Sequence, residues 1–348
     1  MHSERDPLAG KIPVTLITGF LGSGKTTLIS RLLKHPDMDR AAVVINEVGE
    51  IGIDHDLVAM SSENVTLLAN GCLCCTVRTD LQDTLRELFG QRRAGQVPDF
   101  DRVIVETTGL ADPAPVIQTL LSDTMLAAQY RLDGVVTLVD AVNGLGQIAQ
   151  QPEAEKQIAL ADRLLLTKCD LATPDDITGL TAGIRAINHL ADVAQVSMGE
   201  INPSELTGLG LASAKAGAAT LRFLGENLVA RGDPPERYLG EQIRPRHDPR
   251  VSTLSLRFDT PFTWEAFSGA MELLTSMRGP DLLRVKGIVN VAGEPVVVQC
   301  VQHIFHPPVP LDRWPSDDTG TRLVFITRNI NAAAINGLFA AVGAVAAR

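Results

Sequence analysis

The chain has 348 residues, 45% hydrophobic and 21% charged, and a formal net charge of -10 at pH 7. This length exceeds one ordinary hydrophobic core, so two domains are expected. An acidic chain without a Lys/Arg-rich run argues against a nucleic-acid partner, and no segment approaches the about 20 apolar residues of a membrane span. The charged N-terminal stretch does not indicate a secretory signal, which together with five cysteines favours the reducing cytoplasm.

Short β-branched runs alternate with helical segments over the first two-thirds of the chain. Several runs are apolar almost throughout, as is typical of parallel strands covered by helices on both faces. The alternation predicts an α/β fold with a doubly wound, mostly parallel sheet. The predicted strands are 14–18, 41–46, 64–69, 102–107, 134–140, 163–167 and 192–197, and the helices between them include 25–34, 79–92 and 174–189.

A smaller α+β domain is predicted near the C-terminus. It follows a stretch rich in Pro, Gly and charged residues, which indicates a linker. A β-α-β-β-β-α order is expected from strands at 252–258, 282–291, 295–302 and 322–328, a helix at 264–277 and an alanine-rich terminal helix. The predicted organisation is a first domain over 1–230, a linker over 231–250 and a second domain over 251–348.

A phosphate-binding loop follows the first predicted strand and precedes a helix. The sequence "GFLGSGKTT" matches GxxxxGKT, whose glycines let backbone N–H groups surround phosphate oxygens at a helix N-terminus. Lys25 is expected to reach the β- and γ-phosphates, and the Thr26 hydroxyl is expected to bind Mg²⁺. The loop therefore predicts a nucleotide site that comprises Gly19, Gly22, Ser23, Gly24, Lys25, Thr26 and Thr27.

The segment "VVINEVGEIGIDHD", residues 43–56, follows the second strand, where GTPases place a loop that senses Mg²⁺ and the γ-phosphate. Acidic side chains crowd this loop. Glu47 is predicted to bind Mg²⁺ and to take part in catalysis, since it lies in register with the phosphate loop.

The segment "VIVETTGLADP", residues 103–113, ends a strand in Glu106. A carboxylate there can hold an Mg²⁺-bound water or orient the attacking water, so Glu106 is predicted to be catalytic together with Lys25. The Gly109 N–H is expected to contact the γ-phosphate, which would make the loop respond to the nucleotide. No Gln follows the turn to position water, so slow intrinsic turnover is expected.

Three cysteines, Cys72, Cys74 and Cys75, lie together in "NGCLCCTVRTD". The C-x₂-C spacing is the usual start of a zinc site, but no second Cys/His pair is evident nearby. Three thiolates favour Zn²⁺ or Cu(I) over Mg²⁺ and leave a position open for ligand exchange with a receiving site. A redox disulfide or buried structural thiols are the alternatives. The remaining ligand is open among Glu50, His55, Asp123, a water and a partner's residue.

The sequence "TKCD", residues 167–170, ends a predicted strand and resembles the NKxD element by which GTPases select guanine. Asp170 can accept hydrogen bonds from the base's N1–H and exocyclic amine, and Lys168 can lay its stem along the base. Thr167 stands where Asn is usual. The alternative is a solvated Asp at a helix start. A further base contact is expected near Ser197, with residues 213–215 as a competing candidate.

Other potential ligands have simpler interpretations. His303 and His306 lie in an apolar, strand-like context and favour packing over metal binding. Cys169 and Cys300 lie in apolar strand contexts and are predicted to be small buried hydrophobic residues.

Taken in order, "LITGFLGSGKTTL", "INEVGEIGID", "NGCLCCTVR", "ETTGLADP" and "LLLTKCDL" resemble the CobW-type metallochaperone GTPases, in their YjiA-like branch. The resemblance covers residues 12 to 200 and continues over 282–301, which is similar to the family's C-terminal domain. It implies a GTPase that binds Zn²⁺ or Co²⁺ at the GCxCC motif and couples its nucleotide state to metal delivery to a client protein. Among the candidates for the remaining ligand, Glu50 is the one predicted. Many relatives have a His-rich linker, whereas 231–250 contains only His247, and some have an acid at the position of Ile45.

Two other functions stay open at this point. One is a GTP-gated assembly module whose C-terminal domain docks a client and whose metal is structural, and the other is a dithiol redox protein. The client, the physiological metal and any homo-oligomer are not determined by these motifs.

Overall fold

The computed structural model describes residues 8–46, 58–61, 65–68, 73–76, 81–211, 220, 224 and 251–346. The chain divides into two compact units. The first comprises Leu8–Ile184 and Ala191–Gly210, and the second is built on Arg185–Leu190 and the chain from Leu211 onward. The predicted linker, 231–250, and the boundary at residue 230 lie outside the described residues and stay predictions.

The first unit contains a nine-stranded sheet in the described part of the chain. Its strands are β1 (Ile12–Gly19), β2 (Ala41–Asn46), β3 (Val58–Ser61), β4 (Val65–Leu68), β5 (Leu73–Thr76), β6 (Arg102–Thr107), β7 (Tyr130–Asp140), β8 (Arg163–Thr167) and β9 (Asp192–Val196). Its helices are α1 (Lys25–Leu32), α2 (Leu81–Arg93), α3 (Ala114–Ser122), α4 (Thr124–Gln129), α5 (Gly144–Gln150), α6 (Pro152–Leu160) and α7 (Pro174–Ile187).

The strand order is β3-β4-β5-β2-β6-β1-β7-β8-β9. The seven neighbouring strands β5, β2, β6, β1, β7, β8 and β9 are parallel to one another. Strand β4 is antiparallel to both β3 and β5. This arrangement confirms the predicted doubly wound, mostly parallel sheet. Strands β3 and β5 were not among the predicted elements, and β5 carries part of the cysteine motif.

Helices cover both faces of this sheet because its strands are apolar on both sides. On one face, Leu28 and Leu32 of α1 pack into a buried cluster with Ile17, Val43 and other strand residues. Helix α6 packs against β1 and β7. Thr137 of β7 bonds α6 through its hydroxyl, whereas its neighbours Val136 and Leu138 belong to the cluster that contains α1. Because successive residues of a strand point to opposite faces of the sheet, α6 and α1 lie on opposite faces.

The second unit is a smaller antiparallel sheet covered by two helices. Its aromatic core includes Phe267 of the first helix, Phe325 of the sheet and Phe339 of the last helix. The predicted β-α-β-β-β-α order is confirmed, with two additional two-residue strands. The elements are β10 (Val251–Phe258), α8 (Trp264–Arg278), β11 (Leu282–Val291), β12 (Glu294–Val301), β13 (Ile304–Phe305), β14 (Val309–Pro310), β15 (Thr321–Arg328) and α9 (Ala332–Ala346).

Strand order in the second sheet is β10-β15-β11-β12-β13, and β14 also pairs with β12. Each of these pairs is antiparallel. None of the helices in the described residues combines the length and apolarity needed to cross a membrane.

Candidate functional site

The predicted nucleotide motifs meet at one edge of the first sheet. Glu106, near the carboxyl end of β6, is in register with Ile17 of β1 and Ile45 of β2. Strand β1 leads into the phosphate loop and β2 leads into the segment that begins at Glu47. Ligands of open α/β sheets bind at the carboxyl ends of the strands, so this edge is the candidate site.

The phosphate loop has the backbone of a phosphate cradle. Gly19, Gly22 and Gly24 have φ values of 144°, 74° and 94°, which side-chain-bearing residues rarely adopt. A Cβ on Gly19 would lie 2.4 Å from the Leu138 carbonyl oxygen. Gly24 is the N-cap of α1, so the helix's unbonded N–H groups face the loop.

Side chains within the loop fit a phosphate ligand. Lys25 is 7% exposed, and its ammonium group donates to the carbonyl oxygens of Gly19 at 2.8 Å and Phe20 at 3.4 Å. The buried Ser23 hydroxyl has no hydrogen-bond partner among the described residues. Thr26 and Thr27 are exposed at the start of α1. A buried cation and an unused hydroxyl group suit an anion that brings its own oxygen atoms.

The turn after β6 packs directly on the phosphate loop. A Cβ on Gly109 would lie 2.8 Å from both the Cα and the backbone nitrogen of Leu21, so only glycine permits this approach. At the base of the turn, the Thr107 hydroxyl donates to the Thr18 hydroxyl at 2.8 Å. Glu106 itself is 2% exposed. The turn and the phosphate loop are therefore in direct contact.

The predicted base-recognition sequence is tied to the phosphate loop by Thr167. Its hydroxyl donates to the Ser23 carbonyl oxygen at 2.8 Å, with a longer contact of 3.4 Å to that of Val139. A threonine at the position where Asn is usual thus links β8 to the phosphate loop. Asp170 lies in the 3-10 turn that follows, and both Asp170 and Ser197 are exposed, which is compatible with their predicted contacts to a base.

Asp140, which the sequence analysis did not single out, holds Lys168. It is 1% exposed at the end of β7, and one carboxylate oxygen accepts from the Lys168 ammonium group at 2.7 Å. Backbone N–H groups of Val142 and Asn143 bond its other oxygen at 2.8 and 3.2 Å. Burial raises the pKa of Asp140, but these hydrogen bonds outweigh it and the pKa is lowered overall. Its position at the end of an apolar strand was the available signal.

The metal motif is only partly within the described residues. Cys74 and Cys75 lie in β5, in register with Val43 and Val44 of the parallel strand β2. Cys72 and three candidate ligands of the preceding loop, Glu47, Glu50 and His55, lie outside the described part of the chain. Within the residues that are described, no group of three or more His, Cys, Asp or Glu side chains is placed to hold a metal ion.

Asp123, a candidate for the remaining metal ligand, has other partners. It caps α4 by accepting from the Leu126 N–H at 2.8 Å, and its second oxygen accepts from Arg86 at 2.5 Å and from Gln82. The hydrogen bond from Leu126 and the Arg86 charge lower the pKa of Asp123. Both oxygens are engaged in joining α2 to α4, which makes Asp123 a structural residue in this conformation.

The remaining histidines and cysteines largely fit their predicted packing roles. His306 is buried and His303 is exposed, on either side of β13. Cys300 is fully buried, and burial raises the pKa of its thiol to about 12. The prediction for Cys169 was wrong: it is half-buried in the 3-10 turn after β8, because the strand ends at Thr167. The competing base contact at 213–215 lies outside the described residues.

Two family models match the chain. The CobW/HypB/UreG nucleotide-binding domain matches residues 13–195, and the cobalamin synthesis protein cobW C-terminal domain matches residues 251–342. These matches coincide with the sheet that carries the nucleotide motifs and with the antiparallel sheet of the second unit.

Named relatives extend the match over nearly the whole chain. The zinc chaperone YjiA of Escherichia coli is 35% identical over 332 residues, which are 94% of this chain and 98% of that protein. The zinc-regulated GTPase metalloprotein activator 1 of Schizosaccharomyces pombe is 34% identical over 57% of this chain and 49% of its own length. The crystal structure of Zn(II)-bound YjiA GTPase from Escherichia coli matches with a TM-score of 0.75 at 32% identity, covering 95% of this chain and 99% of that one. The chain therefore belongs to the CobW family of P-loop nucleotide-binding proteins.

Proposed function

We propose that this protein is a GTP-hydrolysing metallochaperone that binds Zn²⁺ or Co²⁺ at Cys72, Cys74 and Cys75 and delivers it to a client metalloprotein. The observation that carries the proposal is the parallel pairing of β5 with β2. This pairing sets the cysteine strand beside the strand that leads to Glu47. Relatives over most of the chain are named a zinc chaperone and a GTPase, which supports the same function.

The protein is a GTPase, and its own residues have distinct roles in hydrolysis. The Lys25 ammonium group exchanges the Gly19 carbonyl for phosphate oxygens, and backbone N–H groups of the loop and of Gly109 bind the remaining phosphate charge. Thr26, Glu47 and Glu106 supply the hard oxygen ligands that Mg²⁺ prefers. When bound, Mg²⁺ neutralises charge on the β- and γ-phosphates. Glu106, at the buried strand end, orients the attacking water.

Guanine is selected at the opposite end of the loop. Asp170 accepts from the two donors on the base, and the Lys168 stem lies along the base while its ammonium group stays paired with Asp140. The loop at Ser197 provides a further contact. Gly199, two residues on, comes close enough to α1 that a Cβ would lie 3.0 Å from the Thr27 carbonyl oxygen. That packing holds the loop beside the nucleotide.

Three thiolates and Glu50 suit a transferable transition-metal ion. Thiolates bind Zn²⁺ and Co²⁺ strongly, and a site short of a closed set of four thiolate or imidazole ligands lets a receiving protein attack the metal.

A Co²⁺ titration tests the proposed cargo site. Wild-type protein should bind one Co²⁺ or Zn²⁺ per chain, and the Co²⁺ form should absorb intensely through thiolate charge transfer. Cys74→Ser should weaken binding more than tenfold, about 1.4 kcal/mol or more. Cys169→Ser is the matched control and should leave the titration unchanged, because that thiol lies outside the cysteine motif and donates to the Leu166 carbonyl oxygen at 3.5 Å.

Two further measurements separate the alternatives. Lys25→Ala should abolish tight GTP binding and leave the Co²⁺ spectrum intact, which would separate the two sites. A reversible Cys72–Cys75 disulfide in place of metal binding would support the redox protein instead. A metal that no chelator removes in either nucleotide state would support the structural-metal module. Client docking by the C-terminal domain, a cytoplasmic location and a homo-oligomer stay predictions.

A further inference from the structure

Helix α6 bonds the turn that follows Glu106 through Gln157. This side chain is 1% exposed, and its amide nitrogen donates to the carbonyl oxygens of Ala111 at 3.0 Å and Gly109 at 3.3 Å. The Gln157 backbone carbonyl in turn accepts from the Thr137 hydroxyl at 2.9 Å. The Gln157 backbone is therefore anchored to β7, while its side-chain amide nitrogen donates to two carbonyl oxygens of the turn.

The neighbouring residue Lys156 makes a second link to the same segment. Its ammonium group pairs with one oxygen of Asp112, whose other oxygen accepts from the Ala114 N–H at 3.0 Å. Ala114 is the first residue of α3. Two consecutive side chains of α6 thus bind the segment from Gly109 to the start of α3.

The phosphate loop contacts this turn from another direction. The turn is closed by a hydrogen bond from the Ala111 N–H to the Thr108 carbonyl oxygen at 3.1 Å, and Gly109 packs on the Leu21 backbone. The position of Gly109 is therefore fixed by Leu21 and by Gln157 together. The Gln157 amide oxygen is buried without a hydrogen-bond partner among the described residues, so the polar contribution of this side chain is its two donated N–H groups.

We infer that Lys156 and Gln157 are positioning residues for GTP hydrolysis. They hold the turn so that the Gly109 N–H faces the γ-phosphate and Glu106 keeps its place beside the attacking water. The inference rests on the GTPase function of this site. GDP lacks the γ-phosphate, so its affinity depends on the phosphate loop and on residues 167–170, and not on this turn. A positioning role therefore changes kcat and the preference for GTP over GDP, whereas a structural role changes only stability.

The test compares steady-state GTP hydrolysis, with Mg²⁺ and without transition metal, in full-length variants. Gln157→Met keeps the side-chain volume and removes both donors, and it should lower kcat about tenfold while GDP affinity stays within twofold. Lys156→Met should lower kcat severalfold, and Lys156→Arg should restore it because the cation is retained. Glu153→Gln, on the same helix, is the matched control and should leave kcat unchanged.

A double-mutant cycle of Lys156→Met with Asp112→Asn makes the assignment specific to their ion pair. The two effects on kcat should be non-additive, since each change breaks the same contact. Unchanged kcat in Gln157→Met and Lys156→Met, or an equal loss of GTP and GDP affinity, would overturn the inference. If Gln157→Met does not fold, the partly exposed Lys156 variants decide the question. Absence of hydrolysis in the wild type would instead refute the GTPase function itself.

Discussion

At the scale of single residues, the turn proposed to bind the base is held in place by hydrogen bonds from neighbouring side chains. Lys168 has a left-handed φ of 58°, which is uncommon for a residue with a side chain. Its ammonium group is held by Asp140, and Thr167 holds the same turn against the phosphate loop. These bonds hold the turn that carries the exposed Asp170, the residue proposed to select guanine.

Asp170→Asn should lower the affinity for GTP at least tenfold and increase the relative affinity for XTP. The amide presents donors where guanine also donates, whereas xanthine offers an acceptor in place of the exocyclic amine. Competition of GTP and XTP for a fluorescent nucleotide measures both affinities. Asp175→Asn, an exposed change in the first turn of α7, should leave the ratio unchanged. Wild-type selectivity in Asp170→Asn would place base recognition elsewhere.

Asp140→Asn should lower the thermal unfolding midpoint at neutral pH, since it removes a buried charge with four hydrogen bonds, at a cost of about 1–3 kcal/mol. The pKa of Asp140 lies below its ordinary value of 3.8, so the ionised group stabilises the fold at every pH above that value. The contribution is lost as the pH falls through the lowered pKa.

The difference in midpoint between wild type and Asp140→Asn should therefore be constant from about pH 8 to about pH 5 and narrow only below about pH 4. Calorimetry at a series of pH values measures it. A difference that closes near neutral pH would mean that Asp140 is not the stabilising group.

At the scale of elements, the turn after β6 is the part of the site most sensitive to a single methyl group. Gly109→Ala would place a Cβ 2.8 Å from the Leu21 backbone, which must displace either the turn or the phosphate loop. We expect kcat for GTP to fall more than tenfold while GDP binds within a few-fold of wild type. Gly146→Ala in α5, where a Cβ meets nothing within 4 Å, is the control. Normal turnover in Gly109→Ala would show that the close contact is not needed for hydrolysis.

Most strands of the first sheet were predictable from sequence, and β3 and β5 were not. Predicted and observed bounds coincide for β2, β6 and β8, because each is an apolar run bounded by polar residues. Strand β5 has only four residues, Leu73–Thr76, and half of them are cysteines, which have no strong strand preference. Its pairing with β2 is a tertiary effect that local sequence does not carry.

The part of the candidate site that a single contiguous motif encodes, the phosphate loop, was predictable from sequence. Spacing alone identified the phosphate loop, and the strand order then brought Glu106 to the same edge of the sheet. Asp140 and Gln157 were not predicted, because each acts on a partner 28 or more residues away in sequence. Single-sequence spacing does not reveal such partners, and the structure supplies them.

At the scale of the whole molecule, hydrogen-bonded strands connect the strand of the proposed metal motif to the strand that leads into the phosphate loop. Strand β5 pairs with β2, β2 with β6, and β6 with β1, so the cysteine strand and the loop's strand are separated by the two strands that lead to Glu47 and Glu106. If the nucleotide displaced the segment at Glu47 or the turn after Glu106, the movement would act on β2 or β6, which are hydrogen-bonded neighbours in this series. Metal bound at the predicted ligands Cys74 and Cys75 of β5 would act along the same series in the opposite direction.

The most direct test of this account is the affinity for Zn²⁺ measured with Mg²⁺ and either GDP or a non-hydrolysable GTP analogue. Coupling between the two sites predicts at least a fivefold difference in the Zn²⁺ dissociation constant. By thermodynamic reciprocity, Zn²⁺ must then change the affinity for the GTP analogue relative to GDP by the same factor. Equal Zn²⁺ affinity in the two nucleotide states, with both nucleotides bound, would contradict the coupling of metal delivery to the GTP cycle.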